Sequence, residues 1–438
     1  MAMTLPDPMY DPETSGSAAG GEPAHWLDVL GPGLITGASD DDPSGIATYS
    51  QAGAQFGYSL AWLMLFSWPL MAAAQMISAR IGRVTGRGLA GVLRRNYPPA
   101  LMRVIICLLL LANVINLGAD LGAMADAVTL LAPAPRWLLV LGFGAFCIWL
   151  QVFVDYARYV RVLKWLTLSL LAYFATVMVV DVDWRRLALD LVLPTIKFDK
   201  DYLTTIVAVL GTTISPYLFF WQASEEAEDI TLFARRTDLL DAPEQGPKAL
   251  ERIELDTLFG MGFSNLVALA IIVTTAATLH AAGISNVETS AQAAEALRPL
   301  AGSFAFTLFT LGIVGTGLLA VPVLGGSAAF ALGEAFDWTI GLSRKPWEAK
   351  AFYGALAAAT LVGMALTFAP ISPMSALFWS AVLNGVIAVP LMVVIMIMGA
   401  DSAIMGAFAI RGRLRVMGWI STAVMAAASI GMFGLMAF

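Results

Sequence analysis

The chain has 438 residues, of which 58% are hydrophobic and 13% charged, with a formal net charge of -7. This lies far outside the composition of a soluble globular domain and reads as a polytopic membrane protein. With no long run of like charge and an acidic balance, there is no basic stripe for nucleic acid.

Residues 1–25 are rich in Pro, Gly, Ala and Ser, carry Asp7, Asp11, Glu13 and Glu22, and contain no Lys or Arg. Such a segment buries too little apolar surface to order itself and reads as a disordered cytoplasmic tail. It lacks the basic start and apolar core of a secretory signal, so the first span is expected to stay as an anchor.

Apolar segments long enough to span follow at 30–56, 59–82, 101–131, 136–154, 161–181, 203–229, 255–282, 303–334, 350–369, 374–400 and 416–438. A bilayer core of about 30 Å requires about 20 residues of helix, so these predict 11 transmembrane helices. Cys107 and Cys147 fall inside two of these runs, without CxxC spacing, and are read as core packing.

Lys and Arg concentrate in alternate loops, at Arg80 to Arg103, Arg158 to Lys164, Arg235 to Arg252, Arg344 to Lys350 and Arg411 to Arg415. The opposite side holds only Arg136, Arg185, Arg186, Lys197, Lys200 and Arg298. Because cytoplasmic loops retain positive charge, the amino terminus is expected in the cytoplasm, with the chain in the plasma (inner) membrane.

Segment one is interrupted by Ser39-Asp40-Asp41-Asp42-Pro43-Ser44-Gly45. A charge at the centre of a membrane helix costs about 2.5–3.5 kcal/mol on insertion scales, so such residues face a protein interior or an aqueous path. Pro43 removes a backbone donor and Gly45 loosens the turn, which predicts a broken helix with freed carbonyls beside three carboxylates. Segment six carries a second break at Thr212-Thr213-Ile214-Ser215-Pro216-Tyr217. Two Pro-interrupted helices in corresponding positions of two halves point to a transporter site at the bilayer midplane. The expected architecture is all-α, a 5+5 inverted repeat with helices 1 and 6 broken. The transporter core covers 26–415, as repeats of about 26–200 and 201–415, with an extra helix at 416–438.

Several other polar residues interrupt apolar runs. Asn113, Asn116 and Asp120 share one helical face by their spacing. After the second break Gln222 is a candidate for the ion path, and Glu225, Glu226, Glu228 and Asp229 form either a solvated helix end or an acidic inner vestibule, with Glu225 and Glu226 the nearest to the path. Asn265 and Asn384 suggest interhelical hydrogen bonding, with a place on the path as the sharper reading. Asp40 and Asp41 either lie near the ion, accept waters or cap a half-helix.

Gly31-Pro32-Gly33-Leu34, the Asp42-Pro43 break, Ala52 to Tyr58 and Ser78-Ala79-Arg80-Ile81-Gly82-Arg83-Val84-Thr85-Gly86 resemble the Nramp family of divalent metal transporters, which has the LeuT-like fold. The resemblance implies a metal held by an Asp-Pro-Gly-Asn motif in the first helix and a Met-Pro-His motif in the sixth. Here the Asp is kept as Asp42, while Gly45 stands at the Asn, Ser215 at the Met, Tyr217 at the first His and Gln222 at a second His. In segment three Asp120 matches a family Asp tied to proton movement, but its Glu partner is Ala123. This pattern resembles the Nramp-related magnesium transporters, a side branch, and implies Asp42, Ser44, Gly45, Ser215 and Tyr217 around the metal.

The chemistry agrees with that resemblance. Losing the thioether leaves oxygen ligands, which suit Mg²⁺, Ca²⁺ or Mn²⁺, and smaller side chains leave room for a partly hydrated ion. Only His25 and His280 are present, so no His relay supports proton coupling. The leading expectation is import of Mg²⁺, with Mn²⁺ the second choice, by alternating access without proton coupling. The alternatives are a proton-coupled Mn²⁺/Fe²⁺ transporter and an organic-solute symporter on the same scaffold. No HExxH motif supports a membrane metalloenzyme. No cofactor beyond the carried metal and no obligatory protein partner is expected.

Overall fold

The computed structural model describes residues 36–37, 39–154, 168–233 and 235–437. The tail at 1–25, the start of segment one, the basic loop Arg158 to Lys164 and the start of segment five lie outside the described residues. Helices account for nearly all of the described chain. In order they are α1 Pro43–Phe56, α2 Trp62–Thr85, α3 Leu89–Asn96, α4 Pro99–Thr129, α5 Arg136–Phe153, α6 Leu171–Val179, α7 Trp184–Val192 and α8 Lys200–Thr213. The second half continues with α9 Pro216–Leu232, α10 Gly246–Thr275, α11 Ser290–Glu295, α12 Ala305–Phe336, α13 Lys350–Leu366, α14 Pro373–Ala400 and α15 Gly412–Ala437, apart from short turns.

Among the described residues, eight segments are long and apolar enough to cross a membrane. Of the other expected spans, the ninth is the shorter apolar helix α13, and the first and fifth run into residues that are not described. The seventh span starts earlier than its hydropathy suggests, because α10 begins at Gly246 and carries Arg252 within it. Arg252, expected in a loop, is instead buried within this helix. Cys107 is exposed on the outside of α4 instead of packed in the core, while Cys147 is buried; both are free.

Both breaks form as expected. Asp42 is the N-cap of α1, with Pro43 at its first position, where a missing N–H costs nothing. Ser215 and Pro216 hold the same positions for α9, without a side-chain cap from Ser215, and α8 ends at Thr213 with Ile214 as its C-cap. Each break therefore aims a helix amino terminus at the middle of the protein, where its partial positive charge favours a carboxylate.

Small residues let the helices approach closely, as interiors without hydrophobic driving force require. A methyl group at Gly82 would collide with the backbone of Ala223, and one at Gly211 with the backbone of Ala381 and Gly385. These contacts lock α2 to α9 and α8 to α14, which fixes the second break against two helices. The outer walls of α4 and α5 expose Leu111, Trp137, Trp149 and Phe153, as surfaces facing lipid would.

Among the described residues, the basic loops are tied together at one end of the bundle. Arg83, fully buried at the end of α2, donates to Thr237 O at 2.5 Å and to Gln245 Oε1 at 2.9 Å. At the same end Glu228 accepts from the amides of Leu342 (3.1 Å) and Ser343 (2.8 Å). Arg94 pairs there with Asp337 at 2.8 Å.

Candidate metal centre

Asp42 is 1% exposed and every oxygen of its carboxylate is engaged. Oδ1 accepts from the hydroxyl of Ser44 at 2.6 Å and the amide of Gly45 at 2.8 Å, which is the capping geometry of α1. Oδ2 accepts from Asn116 Nδ2 on α4 at 2.9 Å and, more weakly, from the Tyr217 hydroxyl on α9 at 3.4 Å. Tyr217 also donates to Ser39 O at 2.9 Å. Four elements thus meet on one carboxylate: the chain before the first break, α1 after it, α4, and α9 after the second break.

Asn116 is itself held. Ser380 on α14 donates to Asn116 Oδ1 at 2.9 Å, and this turns the amide so that its N–H faces Asp42. Asn113, on the same face of α4, turns instead to Leu324 O on α12 at 3.1 Å.

Asp120 lies one helical turn beyond Asn116 on the same face of α4, the face that meets Asp42. Both of its carboxylate oxygens are buried and without a hydrogen-bond partner. Asp40 has one such oxygen, and both side-chain atoms of Gln222 are in the same condition. Leaving a buried polar group unpaired costs about 1–3 kcal/mol, and more for a charged one. The unpartnered oxygens of Asp40, Asp120 and Gln222 are acceptors that a positive ion or its water shell would satisfy.

Asp40 and Asp41 turn to the other side of the break. Ser264 on α10 lies 2.7 Å from Asp40 Oδ2 and 3.1 Å from Asp41 Oδ1. The Ser215 hydroxyl donates back to the carbonyls of Gly211 (3.0 Å) and Thr212 (2.7 Å), which leaves its oxygen as an acceptor. Around Gly45, Thr212 Oγ1 and the Tyr49 ring stand 3.2 Å from where a Cβ would be, so the position is confined but not filled. The Tyr49 hydroxyl is directed toward Thr212, yet neither oxygen closes a hydrogen bond with the other.

Among the described residues, no three His, Cys, Asp or Glu side chains form a group able to hold a metal by themselves. The donors present are carboxylates, hydroxyls, an amide and backbone carbonyls. That set fits a hard cation that keeps several waters better than a caged transition metal. His280 lies elsewhere, with Nδ1 at 2.8 Å from Ala54 O. One sulfur comes near: Met124 packs against Gly317 at a point adjoining Pro43.

The remaining acidic and amide residues divide. Glu226 is buried in a bidentate ion pair with Arg252, Glu228 holds the Leu342–Ser343 backbone, and Asp229 pairs with Arg236 at 3.2 Å. Of the acidic group after the second break, Glu225 has neither ion pair nor hydrogen bond among the described residues. Asn265 donates to Met64 O and accepts from Ser67 Oγ at 3.3 Å, which joins α10 to α2. Asn384 is buried with its amide nitrogen unpartnered. Sequence reasoning missed Ser264, Ser380, Tyr49 and Thr212. Hydroxyls in apolar helices are common, and only their neighbours across the bundle distinguish these four.

Two polar cavities approach the centre from opposite ends. One of about 720 Å³ is lined by Gln51, Asp201 and Thr204, with Ala47 and Thr205 at its floor. Ala47 is four residues past Pro43, roughly one helical turn, or about 6 Å. The other, of about 380 Å³, lies at the basic end and reaches Ser224, Glu228 and Glu334. Neither has Asp42 or Asp120 in its lining.

The chain is 28% identical over 401 residues to the divalent metal cation transporter MntH of Acidiphilium cryptum, spanning 89% of this chain and 87% of the relative. It is 27% identical over 413 residues to the MntH of Burkholderia ambifaria, spanning 92% and 87%. In structure it resembles the Eremococcus coleocola manganese transporter, with TM-score 0.73 at 18% identity over 97% of this chain and 90% of that one. It also resembles Mhp1, a nucleobase-cation-symport-1 family transporter, with TM-score 0.58 at 14% identity over 93% and 92%. At these identities the likeness is one of fold, the LeuT-like arrangement expected from the paired breaks. The family described as "Natural resistance-associated macrophage protein-like" matches residues 33–434, and the chain belongs to this Nramp family.

Proposed function

We propose that the protein is a secondary transporter of divalent metal cations, and that the ion it takes is Mg²⁺, with Mn²⁺ second. The observation that carries this reading is Asp42, a buried carboxylate at the meeting of two helix breaks, with the unpartnered oxygens of Asp120 beside it. The relatives, which are named as divalent metal and manganese transporters, support the coarser part of this reading. The finer part rests on donor chemistry: Gly45 and Ser215 stand where larger or softer ligands would close the site around a bare ion.

In this reading the ion binds at Asp42, with Tyr217 and Asn116 giving way to it or to its waters. Asp120 balances the charge of the hydrated ion, while Ser44, Gly45 and Ser215 line the space it occupies. The two cavities are the two sides of an alternating-access cycle, and rocking one bundle against the other connects each in turn to the centre. The 380 Å³ cavity, at the basic end, faces the cytoplasm in this reading, and the excess of Lys and Arg at that end supports a cytoplasmic amino terminus. Uptake proceeds without proton coupling.

Proteoliposomes loaded with a magnesium-sensitive dye test this directly. Wild-type protein is expected to admit Mg²⁺ and Asp42→Ala to admit none; a silent wild type refutes the reading. A pH-sensitive dye in the same vesicles is expected to stay flat. The nearness of Met124 to Pro43 favours the second reading, a softer metal, and Met124→Leu decides it. Loss of Mn²⁺ uptake with Mg²⁺ uptake intact would assign the thioether a ligand role.

A further inference from the structure

An apolar groove of about 550 Å³ runs down the outer wall of the bundle between α4, α14 and α15. Its floor includes Gly118, Ala119 and Val382, and Phe433 closes one side. Along α14 it extends from Ala376 to Val386, a rise of about 15 Å. It lies at the end of the bundle where α4 finishes and α5 starts, opposite the basic loops.

At the mouth of this groove sits a lone cation. Arg136, the first residue of α5, lies against Gly122 of α4, with a guanidinium nitrogen 3.2 Å from where a Cβ on that glycine would be. Its Nε is buried and has no hydrogen-bond partner, and no carboxylate among the described residues pairs with it. Of the groove's other lining residues only Thr367, Trp379 and Ser380 carry polar side-chain atoms. An unpaired guanidinium over an apolar trough, at the level where a membrane helix meets its boundary, lacks an anion. Guanidinium and phosphate match as bidentate partners, and headgroup phosphates lie at that depth.

We propose that this groove binds one anionic phospholipid, with the headgroup phosphodiester on Arg136 and an acyl chain along α14. The groove supplies length for an alkyl chain and the arginine supplies the only charge. Trp379, at the rim, is half exposed and suits the boundary zone, where aromatic rings collect. Trp379 and Met436 also line the 720 Å³ polar cavity, so a lipid here forms the back of that vestibule's wall. The deep end of the groove reaches Ser380, which holds Asn116, which holds Asp42. The bound chain therefore presses on the support of the metal centre. The site itself is independent of which metal is carried.

The test is native mass spectrometry of the full chain, released from detergent containing phosphatidylglycerol. One lipid per chain is expected to survive. Arg136→Gln is expected to weaken retention about tenfold, the scale of a lost charge-assisted hydrogen-bond pair, and Arg136→Lys to recover part of it. Ala376→Trp, which fills the trough and leaves the arginine, is expected to abolish retention, with monodisperse elution showing that each variant is folded. Diacylglycerol with the same chains should bind about tenfold more weakly, for the same reason. Equal retention by wild type and both loss variants overturns the proposal. So does inorganic phosphate alone displacing the lipid at equal concentration, or a two-chain species lost with Ala376→Trp, which would make the occupant a second copy.

Discussion

Asn116 Nδ2 stands 2.9 Å from Asp42 Oδ2, so α4 delivers a hydrogen-bond donor to the carboxylate that the first helix break exposes. Because Ser380 fixes the other end of that amide, the orientation of the acidic centre depends on a helix distant in sequence. Supporting partners of this kind typically change metal affinity or activity by about 10–100-fold. Ser380→Ala is accordingly expected to raise the apparent KM for metal uptake by roughly tenfold and leave folding intact. Proteoliposome uptake over a range of metal concentrations measures it; an unchanged KM would show that Asn116 holds its position alone.

Asp42 has two jobs, and they separate by substitution. Asn also caps helices well, whereas Ala at an N-cap costs about 0.5–2 kcal/mol. Asp42→Asn should melt close to wild type and Asp42→Ala several degrees lower, and both should fail to transport. Thermal unfolding in detergent beside an uptake assay checks this, and transport by Asp42→Asn would remove the charge from the mechanism.

Gly45 borders Thr212 and Tyr49 at contact distance, with no room for a large side chain unless these give way. Gly45→Asn is expected to narrow the centre and lower Mg²⁺ uptake more than Mn²⁺ uptake, because magnesium sheds its waters reluctantly. Competition between the two ions reads this out. A parallel loss of both would mean that the space around Gly45 does not set selectivity.

Glu226 and Arg252 form a buried ion pair joining α9 to α10. Removing one partner of such a pair typically costs about 3–5 kcal/mol, while replacing both with apolar residues of similar size is often neutral. Arg252→Met alone should therefore unfold at a clearly lower temperature, and Glu226→Leu with Arg252→Met should recover. Failure of the double variant to recover would indicate that Glu226 has a role beyond the pair.

The predicted spans and the observed helices agree where hydropathy is unbroken, as in α4, α12 and α14, whose bounds differ from expectation by only two residues or so. They part where a helix leaves the apolar layer. Hydropathy cannot follow α10 into its amino-terminal turns, because Arg252 is polar by composition yet buried by packing. The acidic run after the second break shows the same limit. Its members look alike in sequence, and only their partners separate Glu226, Glu228 and Asp229 from Glu225.

By itself the sequence determined the membrane class and the two Pro-marked breaks, since these depend on residue type and spacing along one helix. Tertiary structure alone decided that Asn116 and Tyr217 close on Asp42, that Asp40 and Asp41 turn to Ser264, and that Asp120 has no hydrogen-bond partner among the described residues. Those relations join residues far apart in the chain. They arise from helices brought together by glycine contacts such as Gly82 on Ala223, which no periodicity within a single segment records.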